Sequence, residues 1–434
     1  MKKTFLTLMF CFTMCGLSHS GDTLSLEESI EIGLKNNLVI QVEDEKLIQA
    51  KMEKEEAHTY FFPKISSSFT YTRLDEAGKM TFGLPDFGIP PISFKLTDAN
   101  LYNLGFTLTQ PIYTGNKIQS YYKKSIENIQ RIGFDKDITC QDLILEIKKG
   151  YFNILKAEKM LQTAVSLKTS ASEHRRIAEA FFNEGLVTKI DILKTEIFLT
   201  NTEQQILQAQ NAVILLKSNF EFLLNSPLPE GFKVKDVLEL QKELISLEHW
   251  LQLAFQQRPE IKKMESLSEM YQQDINIAKS ELKPNIAFFS NYNFDRGSAG
   301  AIDKWQDSWN LGIAAEFNIW NKGETKYKIR KAESKKEENR KQQELQIKAI
   351  MLEVKNAYTN LSSIIKEIET VKIAQDTSKE NLRITNLLYK EGMATTTDVL
   401  DAQTELASAQ NNYYQALYDY QTAYGILEKT VGMP

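Results

Sequence analysis

The chain carries one series of motifs twice, in the same order. The matching blocks are residues 24–41 with 245–263, Pro63 with Pro284, 103–113 with 310–320, and 182–204 with 389–410. Chance similarity among helical segments does not explain four blocks in order at only two offsets, so the chain is an internal duplication. Each half predicts the same elements: helix, strand, loop, strand, very long helix, turn and helix. The first repeat is placed at 21–235 and the second at 236–434.

The first residues look like a secretory signal. Lys2 and Lys3 precede an apolar run, and small residues stand where a cut would fall, so 1–20 is interpreted as a signal peptide. A lipidated N-terminus at Cys15 is the alternative. After removal of this segment Cys140 is the one remaining cysteine, which rules out an intramolecular disulfide.

The helices that follow each strand pair are predicted to be unusually long. No proline occurs between Pro111 and Pro227, and neither glycine nor proline occurs between Gly323 and Gly392. At ~1.5 Å per residue, an unbroken helix over that second stretch is roughly 100 Å long.

The last helix has the repeat of a coiled coil. Large residues recur every seventh position, at Val399, Leu406, Tyr413, Tyr420 and Leu427. Alanines recur at the same interval, at Ala402, Ala409, Ala416 and Ala423. Such a pattern favours a left-handed supercoil with close backbone approach. An ordinary antiparallel coiled-coil hairpin satisfies it locally, and also explains Gly185 and Gly392 as helix-ending glycines.

Four stretches alternate apolar and polar residues instead. They are 63–73 with 102–113 in the first repeat, and 284–294 with 309–320 in the second. Each is about ten residues, the length that a tilted membrane strand needs. A soluble sheet would alternate as well, but aromatic residues near the strand ends and the export signal favour a membrane.

Four strands are too few to close a membrane barrel. An open sheet edge cannot face lipid, and known barrels begin at about eight strands. The chain is therefore predicted to pool its strands with copies of itself under cyclic symmetry.

No pattern of residues in the sequence indicates catalysis. It has four histidines in scattered positions and neither a GxxxxGK[ST] nor a GxGxxG motif. A net charge of −5 gives no basic face for nucleic acid. The run at 322–341 mixes Glu with Lys and Arg, and is interpreted as the solvated face of a long helix. We therefore expect no enzyme activity, no cofactor and no metal site.

Taken together, these blocks resemble the TolC-like outer membrane efflux protein family, over essentially the whole mature chain. The resemblance rests on SLEE…NN, the Pro63 and Pro284 strand starts, NLGFTLTQPIY, and the EG-x5-DVLDA pattern of 391–402. It implies a mainly α fold with membrane β-strands: a homotrimeric, twelve-stranded barrel that continues into an α-helical periplasmic barrel with coiled-coil tips. The implied function is the passive outer membrane exit duct of a tripartite efflux or type I secretion system. The implied partners are outer membrane lipid, a periplasmic adaptor and an inner-membrane transporter of RND or ABC type.

The same resemblance assigns roles to the two turns, 183–191 and 390–398, which contain Gly185 and Gly392. They would form the periplasmic entrance, where Asp398 and Asp401 match the DVLD carboxylates that ring the opening. Such a ring favours cations, and crowded acids are expected to raise one another's pKa values. Tyr389 and Asp191 match a polar link that holds the entrance shut, while a family arginine is replaced by Ala394. For Asp398 a role at the helix N-terminus is an equal alternative.

One further function class fits the helical hairpins. Periplasmic coiled-coil adaptors also carry them, but as a single hairpin beside compact β domains. The duplicated hairpin and the strand pairs of membrane length favour the channel.

Overall fold

The computed structural model of the protein describes residues 23–84, 87–229, 231–236 and 244–433. The predicted signal peptide, 1–20, and Cys15 lie outside these ranges.

The helices of the two halves match in number and length. They are α1 (Leu26–Asn36), α2 (Leu38–Thr59), α3 (Lys117–Asn183) and α4 (Lys189–Leu224), then α5 (Leu247–Gln257), α6 (Pro259–Ser280), α7 (Glu324–Lys390) and α8 (Thr396–Thr430). The long helices α3 and α7 each contain 67 residues. The single helix expected at the start of each half is two helices, separated at Asn37 and at Arg258. The Asn37 side chain leaves the helix to donate to the carbonyl of Leu223, 2.7 Å away, and Pro259 starts a new helix.

The strands are β1 (Thr23–Leu24), β2 (Lys64–Arg73), β3 (Lys79–Leu84), β4 (Ile89–Lys95), β5 (Asn100–Tyr113), β6 (Lys233–Val234), β7 (Asn285–Arg296) and β8 (Gln306–Glu316). Strands β2, β5, β7 and β8 form one antiparallel sheet in that order. The β5–β7 pairing joins the two repeats. The hairpin of β3 and β4 lies between the two strands predicted for the first half, in the segment where the sequence predicts a loop.

The strand predicted at 309–320 is shifted in the structure. It starts earlier, at Gln306, and ends at Glu316, whose partner on β7 is Asn285. The residue before Asn285 is Pro284, which has no N–H for a ladder hydrogen bond. Residues 317–320 therefore have no strand beside them on β7.

The described residues divide into two compact units. One takes in Met1–Ile40, Cys140–Ala254 and Glu353–Pro434, as far as these are described; the other is Gln41–Thr139 with Phe255–Leu352. Each predicted repeat contributes to both units, so the units do not follow the boundary at 235.

The first unit is helical and contains the main hydrophobic core. The largest fully buried side chains there include Ile147, Tyr151, Ile154, Phe220, Leu224 and Tyr418. The Tyr151 hydroxyl donates to the carbonyl of Leu24 at 3.0 Å and lies 2.6 Å from the carbonyl of Lys235. Because β1 pairs with β6 in parallel beside it, this tyrosine fastens the N-terminal strand to the end of the first half.

The residues that form the seven-residue repeat of α8 are buried or half-buried. Val399, Tyr420 and Leu427 are buried, as are all four predicted alanines, while Leu406 and Tyr413 are half-buried. Helix α3 has a matching buried alanine series at Ala157, Ala164, Ala171 and Ala178. Small residues at this interval let helix backbones approach closely.

The second unit contains the four-stranded sheet. None of the described helices is both long enough and apolar enough to cross a bilayer.

Candidate functional site: a two-faced sheet and two helix tips

One face of the four-stranded sheet is apolar across all four strands. The strand register brings together Ile65, Phe69, Tyr71, Leu104, Phe106, Leu108, Ile286, Phe288, Tyr292, Phe294, Trp309, Leu311 and Ile313. We call this set the apolar face. Several members are openly exposed; Ile313, for example, exposes 68% of its surface. Soluble monomers rarely expose a contiguous apolar patch of this extent, so this face is built for an apolar surrounding.

The opposite face is polar and internally hydrogen-bonded. Asn103 donates to Asp295 at 2.7 Å, and Thr107 donates to Asn291 at 2.9 Å. Asn291 in turn donates to Asn310 at 2.9 Å, so these bonds run across β5, β7 and β8. A sheet with one apolar and one hydrated face is the arrangement of a membrane strand array that surrounds water.

Both edges of this sheet lack a neighbour among the described residues. Strand β2 pairs with β5 only, and β8 pairs with β7 only. Each edge therefore presents a row of backbone donors and acceptors, which is a template for pairing with another chain.

The turns at 183–191 and 390–398, which we call the two tips, have nearly identical backbone hydrogen bonds. At the first, the Leu186 amide donates to the Phe181 carbonyl at 2.8 Å; at the second, Met393 donates to Leu388 at 2.8 Å. Gly185 and Gly392 both have a φ of 73°, the left-handed conformation that ends a helix in this way. A side chain at either position would strain the turn.

Both tip aspartates, Asp191 and Asp398, are the third residue of their helix and complete a capping box with its N-cap threonine. The backbone and the hydroxyl of Thr188 donate to Asp191, at 3.0 and 2.7 Å. The backbone N–H and the hydroxyl of Thr395 likewise donate to the Asp398 carboxylate, each at 2.7 Å. In return, the Thr395 hydroxyl oxygen accepts a hydrogen bond from the Asp398 backbone N–H. The hydrogen bond from each threonine hydroxyl lowers the pKa of its carboxyl. Within one protomer this shift is opposite to the increase expected of a crowded acid ring.

Asp401 lies one turn further along α8 and is exposed. It lines a groove of about 550 Å³ between α7 and α8, together with Ser378, Thr404, Glu405 and Asn412. The structure thus separates the two acids of the DVLD motif, since Asp398 is committed to a cap and Asp401 is not.

Tyr389 is buried and does not meet Asp191 in this chain. Its hydroxyl lies 3.3 Å from that of Thr396, and its ring contacts His174 and Phe181, with ring centres 4.8 and 5.5 Å away. The predicted Tyr389–Asp191 link, which would hold the entrance shut, stays a prediction.

The structure adds two tip residues that the sequence did not single out. Lys194 on α4 donates to Thr397 on α8 at 2.9 Å, which joins the two tips directly. His174 on α3 is 3% exposed, and its burial lowers its pKa to about 4. No spacing in the sequence identified either one, because both contacts depend on how separate helices are rotated against each other.

The described residues contain no group of three or more His, Cys, Asp or Glu side chains placed to hold a metal ion. Nothing in the described geometry points to a catalytic centre.

Comparison with known proteins agrees with this architecture. The family model described as outer membrane efflux protein matches residues 31–224 and 250–433. The alkaline protease secretion protein AprF of Pseudomonas aeruginosa is 20% identical over 424 residues, which cover 94% of this chain and 86% of AprF. The solved structure of CusC has a TM-score of 0.79 at 17% identity, covering 94% of this chain and 92% of the other.

A second solved structure, the outer membrane protein VceC of Vibrio cholerae, has a TM-score of 0.77 at 14% identity and covers 94% of this chain and 96% of VceC. These relatives favour the channel and give no support to the adaptor alternative. One matched range falls in each half of the chain. The chain belongs to the outer membrane efflux protein family and is an outer membrane channel protein with the TolC-type fold.

Proposed function

We propose that three copies of the chain form one passive exit duct through the outer membrane. The observation that carries this is the sheet, which has an apolar face, a hydrated face and two unpaired edges. Pairing β8 of one copy with β2 of the next removes every edge and leaves lipid outside and water inside. A trimer of twelve strands is the assembly that the family resemblance implies.

Oligomeric mass and fractionation test this proposal. Purified protein in detergent should have three times the mass of one chain by light scattering, and should fractionate with the outer membrane. A monomer in detergent, or protein that is released from membranes by a salt wash, would refute it.

The two tips are proposed to form the gated periplasmic entrance, with Asp398 and Asp401 facing the opening. A ring of carboxylates favours cations over anions. The lock is proposed to involve Asp191 and Tyr389 at the tips, beside the Lys194–Thr397 contact.

Single-channel recording can separate a lock from a cap at Asp191. Asp191→Ala removes the carboxylate from the proposed lock and also from the capping box of α4. Thr188→Ala weakens the capping box but leaves the carboxylate available for the lock. An increased open conductance with Asp191→Ala but not with Thr188→Ala supports the lock. Unchanged conductance in both variants counts against it.

Transport through this duct is proposed to be driven by partners, because the sequence has no nucleotide-binding motif. These partners are a periplasmic adaptor and an inner-membrane transporter of RND or ABC type, as the family resemblance implies. Cross-linking in cells followed by purification of the trimer tests for them; recovery of the channel alone under all conditions would oppose the assembly.

A further inference from the structure

A strongly basic helix start follows directly after the last strand of the sheet. Between β8 and α7 lie Phe317, Ile319 and Trp320, and the last two expose 87% and 81% of their surface. Exposed aromatic and apolar side chains just beyond a membrane strand are typical of the interface between lipid tails and headgroups. The first turns of α7 therefore begin where the headgroups of a leaflet would lie.

Four cations in the first turns of α7 or just before it form what we call the basic stripe: Lys322, Lys326, Arg330 and Lys331. All four are exposed. Lys326 and Arg330 are one helical turn apart, so they lie on the same side of α7. Tyr327, which exposes 72% of its surface, stands between them in sequence. Among these cations, Arg330 has a nearby carboxylate, Glu333, at a long 3.5 Å.

The acidic residues near the stripe are mostly engaged elsewhere. Lys328, a cation outside the stripe, contacts Glu324 at 2.9 Å and Glu281 at 2.8 Å, so these three side chains together carry a single net negative charge against the four cations of the stripe. The hydrogen bond from Lys328 lowers the pKa of Glu281, which keeps that carboxylate ionised. The stripe consequently keeps a net positive charge.

Glu281 also connects the first turns of α7, which contain the stripe, to the segment that leads into the sheet. It accepts a hydrogen bond from Thr325 at 3.0 Å as well as the bonds from Lys328. Glu281 immediately follows α6 and stands shortly before Asn285, the residue of β7 that pairs with Glu316 at the end of β8. The first turns of α7 are therefore tied to the edge of the sheet from which the helices leave.

We propose that the basic stripe binds the anionic headgroups of phospholipids in the leaflet that lies next to the start of α7. This inference rests on the proposed placement of the sheet in a membrane. Residues 324–331 rise by about 10 Å along the helix. That rise is comparable to the headgroup layer and to the ~8 Å screening length at physiological salt. The position of the stripe just beyond the last strand of the sheet and the opposite charge of the headgroups both favour lipid as the occupant.

Spin-labelled lipids measure this directly in reconstituted trimers. In phosphatidylcholine bilayers that contain labelled phosphatidylglycerol or labelled phosphatidylcholine, the wild type should prefer the anionic lipid at least ~2-fold. The variant Lys326→Gln with Arg330→Gln and Lys331→Gln should reduce that ratio to about one. A matched control, Lys348→Gln with Lys372→Gln and Lys379→Gln, removes the same charge from exposed positions farther along α7 and should leave it unchanged.

Two further measurements identify the source of the preference. Raising the salt to 1 M should abolish it, because the screening length falls to ~3 Å. Soluble glycerol phosphate should not compete at millimolar concentration, whereas competition would mean a site for free phosphate and would overturn the proposal. A wild-type ratio near one, or equal loss in the stripe and control variants, would overturn it as well.

Failure of the underlying function has a different signature. Protein that does not reconstitute as a trimer refutes the placement of the sheet in the membrane, and the lipid inference falls with it. A reconstituted trimer without lipid preference refutes the lipid inference alone.

Discussion

Asp398 and Asp401 lie one helical turn apart, yet their surroundings differ. Asp398 accepts two hydrogen bonds from Thr395, whereas Asp401 is exposed beside a groove. We expect Asp401→Asn to reduce the cation preference of the channel, measured as reversal potential in a salt gradient, without loosening the start of α8.

The matched variant Asp398→Ala should also loosen the first turn of α8, because it removes the two hydrogen bonds that the Asp398 carboxylate accepts from Thr395, which are one half of the capping box. Amide exchange at residues 396–400 would report this as faster exchange than in Asp401→Asn. Identical exchange in the two variants would show that the cap is unimportant. A reversal potential unchanged by either variant would place both acids away from the ion path.

His174 is predicted to make the helical unit sensitive to acid. Its pKa is lowered to about 4 by burial, so the unfolded chain takes up a proton at a higher pH than the folded chain does. Stability from this residue is therefore complete above the ordinary histidine pKa and falls as the pH drops toward 4. The shift corresponds to a loss on the order of 3 kcal/mol.

Thermal unfolding between pH 7 and pH 4 tests this expectation. His174→Phe keeps a ring beside Tyr389 and should flatten the decline in Tm over that range. A variant that follows the wild-type curve would mean that other groups cause it.

Among the single elements, strand β8 offers the clearest test of which face of the sheet contacts lipid and which contacts water. Leu311 belongs to the apolar face, and its neighbour Asn310 lies on the polar face at the same depth. Leu311→Arg should destabilise the folded channel in lipid by about 2–4 kcal/mol, whereas a charge on the hydrated face is tolerated.

Urea unfolding in lipid vesicles measures the difference, with Asn310→Arg as the control. Equal destabilisation by both changes would contradict the assignment of the faces.

The elements also show how far a sequence carries a structural prediction. The sequence predicts the long helices because α3 and α7 contain no proline. It predicts the strands because apolar and polar residues alternate, as they do in β8. The end of β8 was misplaced since it depends on Pro284, the residue just before the partner strand β7. The break at Asn37 was missed for the same reason, as its side chain bonds to Leu223 far along the chain.

In the candidate site, too, some residues can be placed from the sequence and others cannot. Gly185, Gly392 and the capping acids follow local rules, so the sequence can place them. The Lys194–Thr397 contact and the burial of His174 arise between helices that are distant in sequence. Helix rotation decides such contacts, and no single-sequence pattern encodes it.

For the molecule as a whole, a closed barrel requires strands that are shared between copies. Within one chain β5 and β7 separate β2 from β8, so these edge strands can meet only across two protomers. If the apolar faces of neighbours are continuous, odd-numbered residues of β2 must lie on the same side as odd-numbered residues of β8.

Disulfide cross-linking tests this most directly, in a Cys140→Ala background. Ser67→Cys combined in turn with cysteine at Trp309, Leu311 or Ile313 should yield a covalent trimer for at least one partner, because facing residues come within disulfide range. Ser68→Cys with the same partners points to the opposite face and should yield none. Covalent trimers only from the Ser68 series, or monomers throughout, would contradict the shared barrel.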